Sequence, residues 1–207
     1  MSATTELSRK ERERLRRRED ILEAAKKVFA EKGFSGSTLD EIALRAEYGK
    51  GTIYNYFSSK EELFLTLVRE GLQSFKNTVN QALAPCESVV DKLEKYIEVA
   101  LDYFYDHQNA FKIISFEIHQ PNSLSGVIQD ELRETYSREL YFISQLIEQG
   151  VREGRFRITD SQRLARVLQG MIHSQICQSG CTQHDERSEA IETVKSIFLH
   201  GCLNRDA

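Results

Sequence analysis

Apolar residues recur along most of this chain with the three-to-four-residue spacing of helices that each turn one face to a core. Ile21, Leu22, Ala25, Val28 and Phe29 form one such face between about Ser8 and Lys32, and Gly33 supplies a stop. Leu39, Ile42, Ala43 and Ala46 form the next, opened by Thr38 with Glu41 three residues on, a capping box. Glu47-Tyr48-Gly49 breaks the pattern before a short helix over Lys50–Tyr56. Ser58-Ser59 then opens a longer one from Lys60 to about Ala84, with Leu63, Leu67, Leu72 and Phe75 inward. Longer helices are expected over 87–107, 109–120, 124–153, 160–178 and 186–203, with Gly154 as a stop and Thr159 or Asp160 as a cap. The two prolines, Pro85 and Pro121, both fall between these segments.

The predicted fold is therefore all-α. Three short helices within the first 60 residues, two joined by a three-residue turn containing glycine, make a helix-turn-helix arrangement. A larger helical part follows, with the boundary inside the fourth helix: 1–66 and 67–207. At 207 residues and 40% hydrophobic content the chain can fill such a core. No apolar run approaches the roughly 18 residues of a membrane span, and the charged N-terminus has no secretory signal pattern. The bacterial cytoplasm, at the nucleoid, is the expected location, with no membrane partner.

Charge sharpens the picture. The net charge is −4, but residues 1–60 hold 13 Lys/Arg against 10 Asp/Glu, while the rest hold 15 against 22. A basic front on an acidic body points the front at a polyanion. The run Arg9-Lys10-Glu-Arg12-Glu-Arg14-Leu-Arg16-Arg17-Arg18 reads as an arm or helix extension tracking phosphates, or as a salt-bridged helix end.

The segment Thr38–Phe64 carries the chemistry. Gly49 and Gly51 remove side-chain bulk where the short helix would enter the major groove. Lys50 and Lys60 bring charge to the backbone. Thr52, Tyr54 and Tyr56 offer hydroxyl donors to phosphate, and Asn55 can read adenine N6/N7. Ile53 and Phe57 are a miniature core. The string Lys50-Gly-Thr-Ile-Tyr-Asn-Tyr-Phe57 followed by Lys60-Glu61, with the leading helix, closely resembles the DNA-binding signature of TetR-family transcriptional regulators. That resemblance implies backbone contacts from Thr38, Lys50, Tyr54, Tyr56 and Lys60, and places Gly49, Thr52 and Asn55 at or near bases. Two departures stand out. Ala46-Glu47-Tyr48 occupies the turn where the family often has Ala-Gly-Val, making Glu47 a candidate for left-handed backbone. Asp40 sits where the family frequently places a basic or polar residue near DNA, and an acid there would repel phosphate or accept from cytosine N4.

The resemblance also implies that the C-terminal part dimerises and encloses a small-molecule effector. Phe104, Phe111 and Ile114, with Met171, are the residues expected near a pocket. The last two helices, through Leu164, Val167, Leu168, Met171, Ile172 and Ile176, then Ile191, Val194, Ile197, Phe198 and Gly201, are expected to form the homodimer. A twofold dimer demands a palindromic double-stranded operator. The function so implied is a repressor released from that operator by a small, largely apolar effector. The alternatives are an architectural or division-control DNA binder without ligand, and a metal- or thiol-responsive regulator using His173, Cys177, Cys181 and His184. No HExxH, GxSxG or phosphate-loop pattern supports an enzyme, and no cofactor is expected.

Overall fold

The computed structural model describes residues 8–107, 126–157, 160–178 and 184–202, the side chains of 127, 176–178, 184–186 and 202 excepted. Among them are eight helices and no strand: α1 (Arg9–Lys32), α2 (Leu39–Arg45), α3 (Lys50–Tyr54), α4 (Lys60–Leu83), α5 (Val89–Asp106), α6 (Gly126–Arg152), α7 (Ser161–Gln178) and α8 (His184–Cys202). The helix expected over 109–120 lies outside the described residues. The described residues form two compact units, one of residues 8–70 and 126–128, the other of the rest, so that one boundary falls inside α4 and one near the start of α6.

Local chemistry explains where the N-terminal helices begin and end. Ser8 and Glu11 exchange hydrogen bonds across the start of α1, and Thr38 and Glu41 do so at α2. Each box satisfies two backbone N–H groups that the first helical turn leaves without partners. Gly33 takes φ 71°, and its N–H returns to the Phe29 carbonyl. The N-terminal unit is built on Ile21, Leu22, Ala25, Val28 and Phe29 of α1, Ile42 and Ala43 of α2, Ile53 and Phe57, and Leu63, Phe64 and Val68 of α4. The rings of Phe29, Phe34 and Phe64 close that core, their centroids 5.0–5.9 Å apart.

In the C-terminal unit, α5 contributes Leu93, Tyr96, Ile97, Ala100, Leu101 and Phe104 to a core shared with Ile143 and Ile147 of α6. Ala165, Leu168 and Ile172 of α7, and Ile191, Val194 and Phe198 of α8, complete it. Ser88 caps α5 by accepting from the Asp91 N–H at 3.1 Å. Asp160 caps α7 by accepting from the Arg163 N–H at 2.9 Å. After α6, Phe156 folds back so closely on Gly150 that a Cβ there would stand 2.2 Å from the ring. Arg187 of α8 ties down to α5, with Nε donating to Asp102 at 2.6 Å and Nη1 to Asp106 at 2.8 Å.

One polar cluster interrupts this apolar interior. The Tyr96 hydroxyl donates to Glu139 Oε1 at 2.7 Å, and Gln169 Nε2 donates to Glu139 Oε2 at 3.2 Å. Gln169 Oε1 is buried and accepts no hydrogen bond among the described residues. An unsatisfied buried acceptor costs about 1–3 kcal/mol.

Candidate nucleic-acid interface

The turn between α2 and α3 is built without its expected glycine. Glu47 stands at φ 59°, alone among the described non-glycine residues in having positive φ. Its N–H and that of Tyr48 bond back to the carbonyls of Leu44 and Ala43. The Tyr48 hydroxyl donates to Asp20 of α1 at 2.8 Å, which fastens the turn to the first helix. Gly49 is the extended N-cap of α3, and the N–H of Thr52 closes the first turn on its carbonyl at 2.8 Å. Ile53 and Phe57 are buried beneath, which fixes the face that α3 shows to solvent.

That face carries the residues singled out from the sequence. Gly49, Lys50, Gly51, Tyr54 and Asn55 are exposed, Thr52 and Tyr56 half-buried. Tyr54 is 49% exposed, a large ring left outside the core. A Cβ added at Gly49 or Gly51 would meet nothing within 4 Å, and neither residue has positive φ. The described fold therefore has no steric need of glycine at either position.

The charges are disposed differently from the simple expectation. Lys50 is ion-paired to Asp40 at 2.8 Å, and the carboxylate holds the ammonium above its ordinary pKa. Asp40 thus has a partner within the chain, a role that neither phosphate repulsion nor base reading anticipated. Lys60 turns inward: its ammonium donates to the carbonyls of Phe34 at 2.7 Å and Ser37 at 2.9 Å, over the Phe34 ring. Thr38 is occupied by its cap, its Oγ1 exchanging hydrogen bonds with Glu41. Arg45 makes a two-pronged pair with Glu31 at 2.8 and 2.6 Å, and Lys32 pairs with Glu41.

The basic run continues α1 as a helix. Arg17 pairs with Glu13 and Arg18 with Glu70, whereas Arg9, Lys10, Arg14 and Arg16 are exposed and form no ion pair among the described residues.

Comparison with known proteins settles the class. The profile of the bacterial regulatory proteins, tetR family, matches residues 21–67, and that of the tetracyclin repressor-like C-terminal domain matches residues 86–176. An uncharacterized helix-turn-helix regulator of Bacillus subtilis, YhgD, is 30% identical over 154 residues, covering 73% of this chain and 78% of its own. The chain belongs to the TetR family. It is a DNA-binding transcriptional regulator of the helix-turn-helix class. The fatty acid metabolism regulator protein of Bacillus subtilis is 25% identical over 180 residues, 86% of this chain and 90% of its own. The solved fatty acid degradation regulator of Bacillus halodurans shares the fold, with a TM-score of 0.78, 21% identity and coverage of 89% and 95%.

In this TetR-family chain the four residues expected near a pocket fare unequally. Phe104 is buried, stacked on Phe75 at 5.6 Å, and Met171 is half-buried against the same core. Phe111 and Ile114 lie outside the described residues, as do the side chains of Cys177, Cys181 and His184. Glu139 and Gln169 were not singled out from the sequence. Their signal was phase: Glu139 precedes buried Ile143 and Ile147 by one and two turns, and Gln169 adjoins buried Leu168. Among the described residues no helix is long and apolar enough to cross a membrane.

Proposed function

We propose that this chain is a homodimeric repressor that binds a palindromic operator and leaves it when a small, largely apolar effector fills its C-terminal unit. The observation that carries the DNA half is the outer face of α3. Gly49 and Gly51 are glycines in open space, flanked by Lys50, Thr52, Tyr54 and Asn55. Side chains and gaps that the fold itself does not use are what a groove-reading helix needs. In this reading Lys50, Tyr54 and Tyr56 contact the phosphate backbone, and Thr52 and Asn55 reach base edges. Thr38 and Lys60 support the interface by holding α2 and the α1–α2 loop. The exposed residues Arg9, Lys10, Arg14 and Arg16 supply the salt-sensitive attraction.

The dimer half is supported by the outer faces of α7 and α8, where Val167 is 54% and Ile197 61% exposed, beside half-buried Leu164 and Met171. Apolar surface of this kind is usual where a second copy docks. The effector half is supported by the extensive aromatic core of the C-terminal unit and by relatives whose names place them in fatty acid metabolism.

The test is selection of duplexes from a random pool by the purified protein at about 150 mM salt, a concentration at which phosphate attraction alone is weak. Enrichment of a palindrome with two equivalent half-sites, released by an apolar effector, is the expected result. Binding without an enriched motif refutes the repressor reading.

A further inference from the structure

The cluster at Tyr96, Glu139 and Gln169 buries more acceptor than donor capacity. It draws one residue from each of α5, α6 and α7, all within the C-terminal unit. The Tyr96 hydroxyl and one Gln169 amide N–H donate to the two oxygens of Glu139. What remains is mostly acceptor capacity, a free lone pair on each carboxylate oxygen and Gln169 Oε1, set against the second amide N–H of Gln169. No Lys, Arg or His among the described residues forms an ion pair with Glu139. Buried carboxylates are normally matched by a cation or a full set of donors. The Tyr96 ring, whose hydroxyl meets the acid, packs against the Phe142 ring with centroids 6.0 Å apart, and aromatic faces attract organic cations.

We infer that Tyr96, Glu139 and Gln169 form the head-group site for the effector, and that the effector is an organic cation, an ammonium on an apolar body. An ammonium brings up to three N–H donors and one positive charge, which supply what Gln169 Oε1 and Glu139 lack. A carboxylate head brings only acceptors and a like charge, so this site discriminates against fatty acids despite the names of the relatives. The inference rests on the effector reading above, and the two can fail separately.

The test uses one apolar body with three heads: octylammonium, octan-1-ol and octanoate, titrated by calorimetry into the full-length protein. Octylammonium is expected to bind at least about tenfold more tightly than octan-1-ol, as a charge-assisted hydrogen bond implies, with octanoate weakest. Glu139→Gln should erase the preference for the ammonium, and Gln169→Leu should reduce it. Circular dichroism confirms that each variant is folded, so loss of fold in one leaves the other and the wild-type ranking to decide. Octanoate binding as well as octylammonium overturns the inference. So does a preference that survives in folded Glu139→Gln, or failure of all three probes to bind. Release of the selected operator fragment is measured separately. Selective binding of octylammonium without release upholds the site and refutes the effector reading.

Discussion

Replacing Lys60 separates two accounts of one charge in the binding motif. The sequence resemblance puts this ammonium on the DNA backbone, whereas the fold engages it with the carbonyls of Phe34 and Ser37 and the ring of Phe34. Lys60→Met keeps the aliphatic stem and removes the donors. The Phe34 carbonyl keeps the Ser37 hydroxyl at 2.7 Å, so the main loss is the bond to Ser37, which is itself buried. A charge-assisted hydrogen bond contributes about 1.5–3 kcal/mol, and an ammonium over a ring about 0.5–1 kcal/mol at a partly exposed site. Because Lys60 is half-buried and Met retains its packing, the expected destabilisation is about 2 kcal/mol, or about 4–8 °C in Tm for a chain of this size. Thermal melts followed by circular dichroism at fixed protein concentration measure it. Operator affinity at about 25 °C, where the variant is still folded, should show a salt dependence close to the wild type's. An unchanged melt with the slope of log affinity on log salt reduced by about one would refute the reasoning. The ammonium would then sit on phosphate.

Other substitutions test neighbouring parts of the same logic. Gly51→Ala should leave the melt unchanged or raise it by about 0.5–1 kcal/mol, since alanine favours helix there, while operator affinity falls; retained affinity would show that the open space is not used by DNA. Glu47→Gly should stabilise the turn by about 0.5–1 kcal/mol in thermal melts, because glycine accepts the left-handed backbone without strain. Asp40→Asn frees Lys50, so affinity for unrelated duplexes should rise and its salt dependence steepen by about one unit in filter-binding assays. Burial holds the Glu139 carboxyl above its ordinary pKa, the hydrogen bonds from Tyr96 and Gln169 only partly opposing it. The folded chain therefore binds this proton more tightly than the unfolded one, and the stability it lends at low pH is lost as pH rises through the folded value. Glu139→Gln should gain stability relative to the wild type in paired melts as pH rises above about 4, where the unfolded carboxyl ionises and the buried one resists, and a difference independent of pH would contradict the burial of the charge.

The sequence by itself determined what depends on near neighbours in the chain. Thr38 and Glu41 are three residues apart, so their cap follows from helix geometry alone, and the stop at Gly33 is equally local. The positive φ at Glu47 was legible from the family resemblance, which puts a glycine at that position of the turn. The period of apolar residues likewise located the inner faces of α1 and α2, because burial repeats with the helix. The roles of charges and polar groups were decided only by the tertiary structure. Lys60 meets residues 23 and 26 positions away, and Asp40 reaches Lys50 across the turn. Tyr96, Glu139 and Gln169 are separated by 43 and 30 residues. A long flexible side chain chooses its partner by the spatial approach of distant helices, and no local spacing encodes that choice. The pattern therefore identifies which residues face outward on the reading helix, while only the fold shows which charges are already spoken for and which carboxylate has no cation among the described residues.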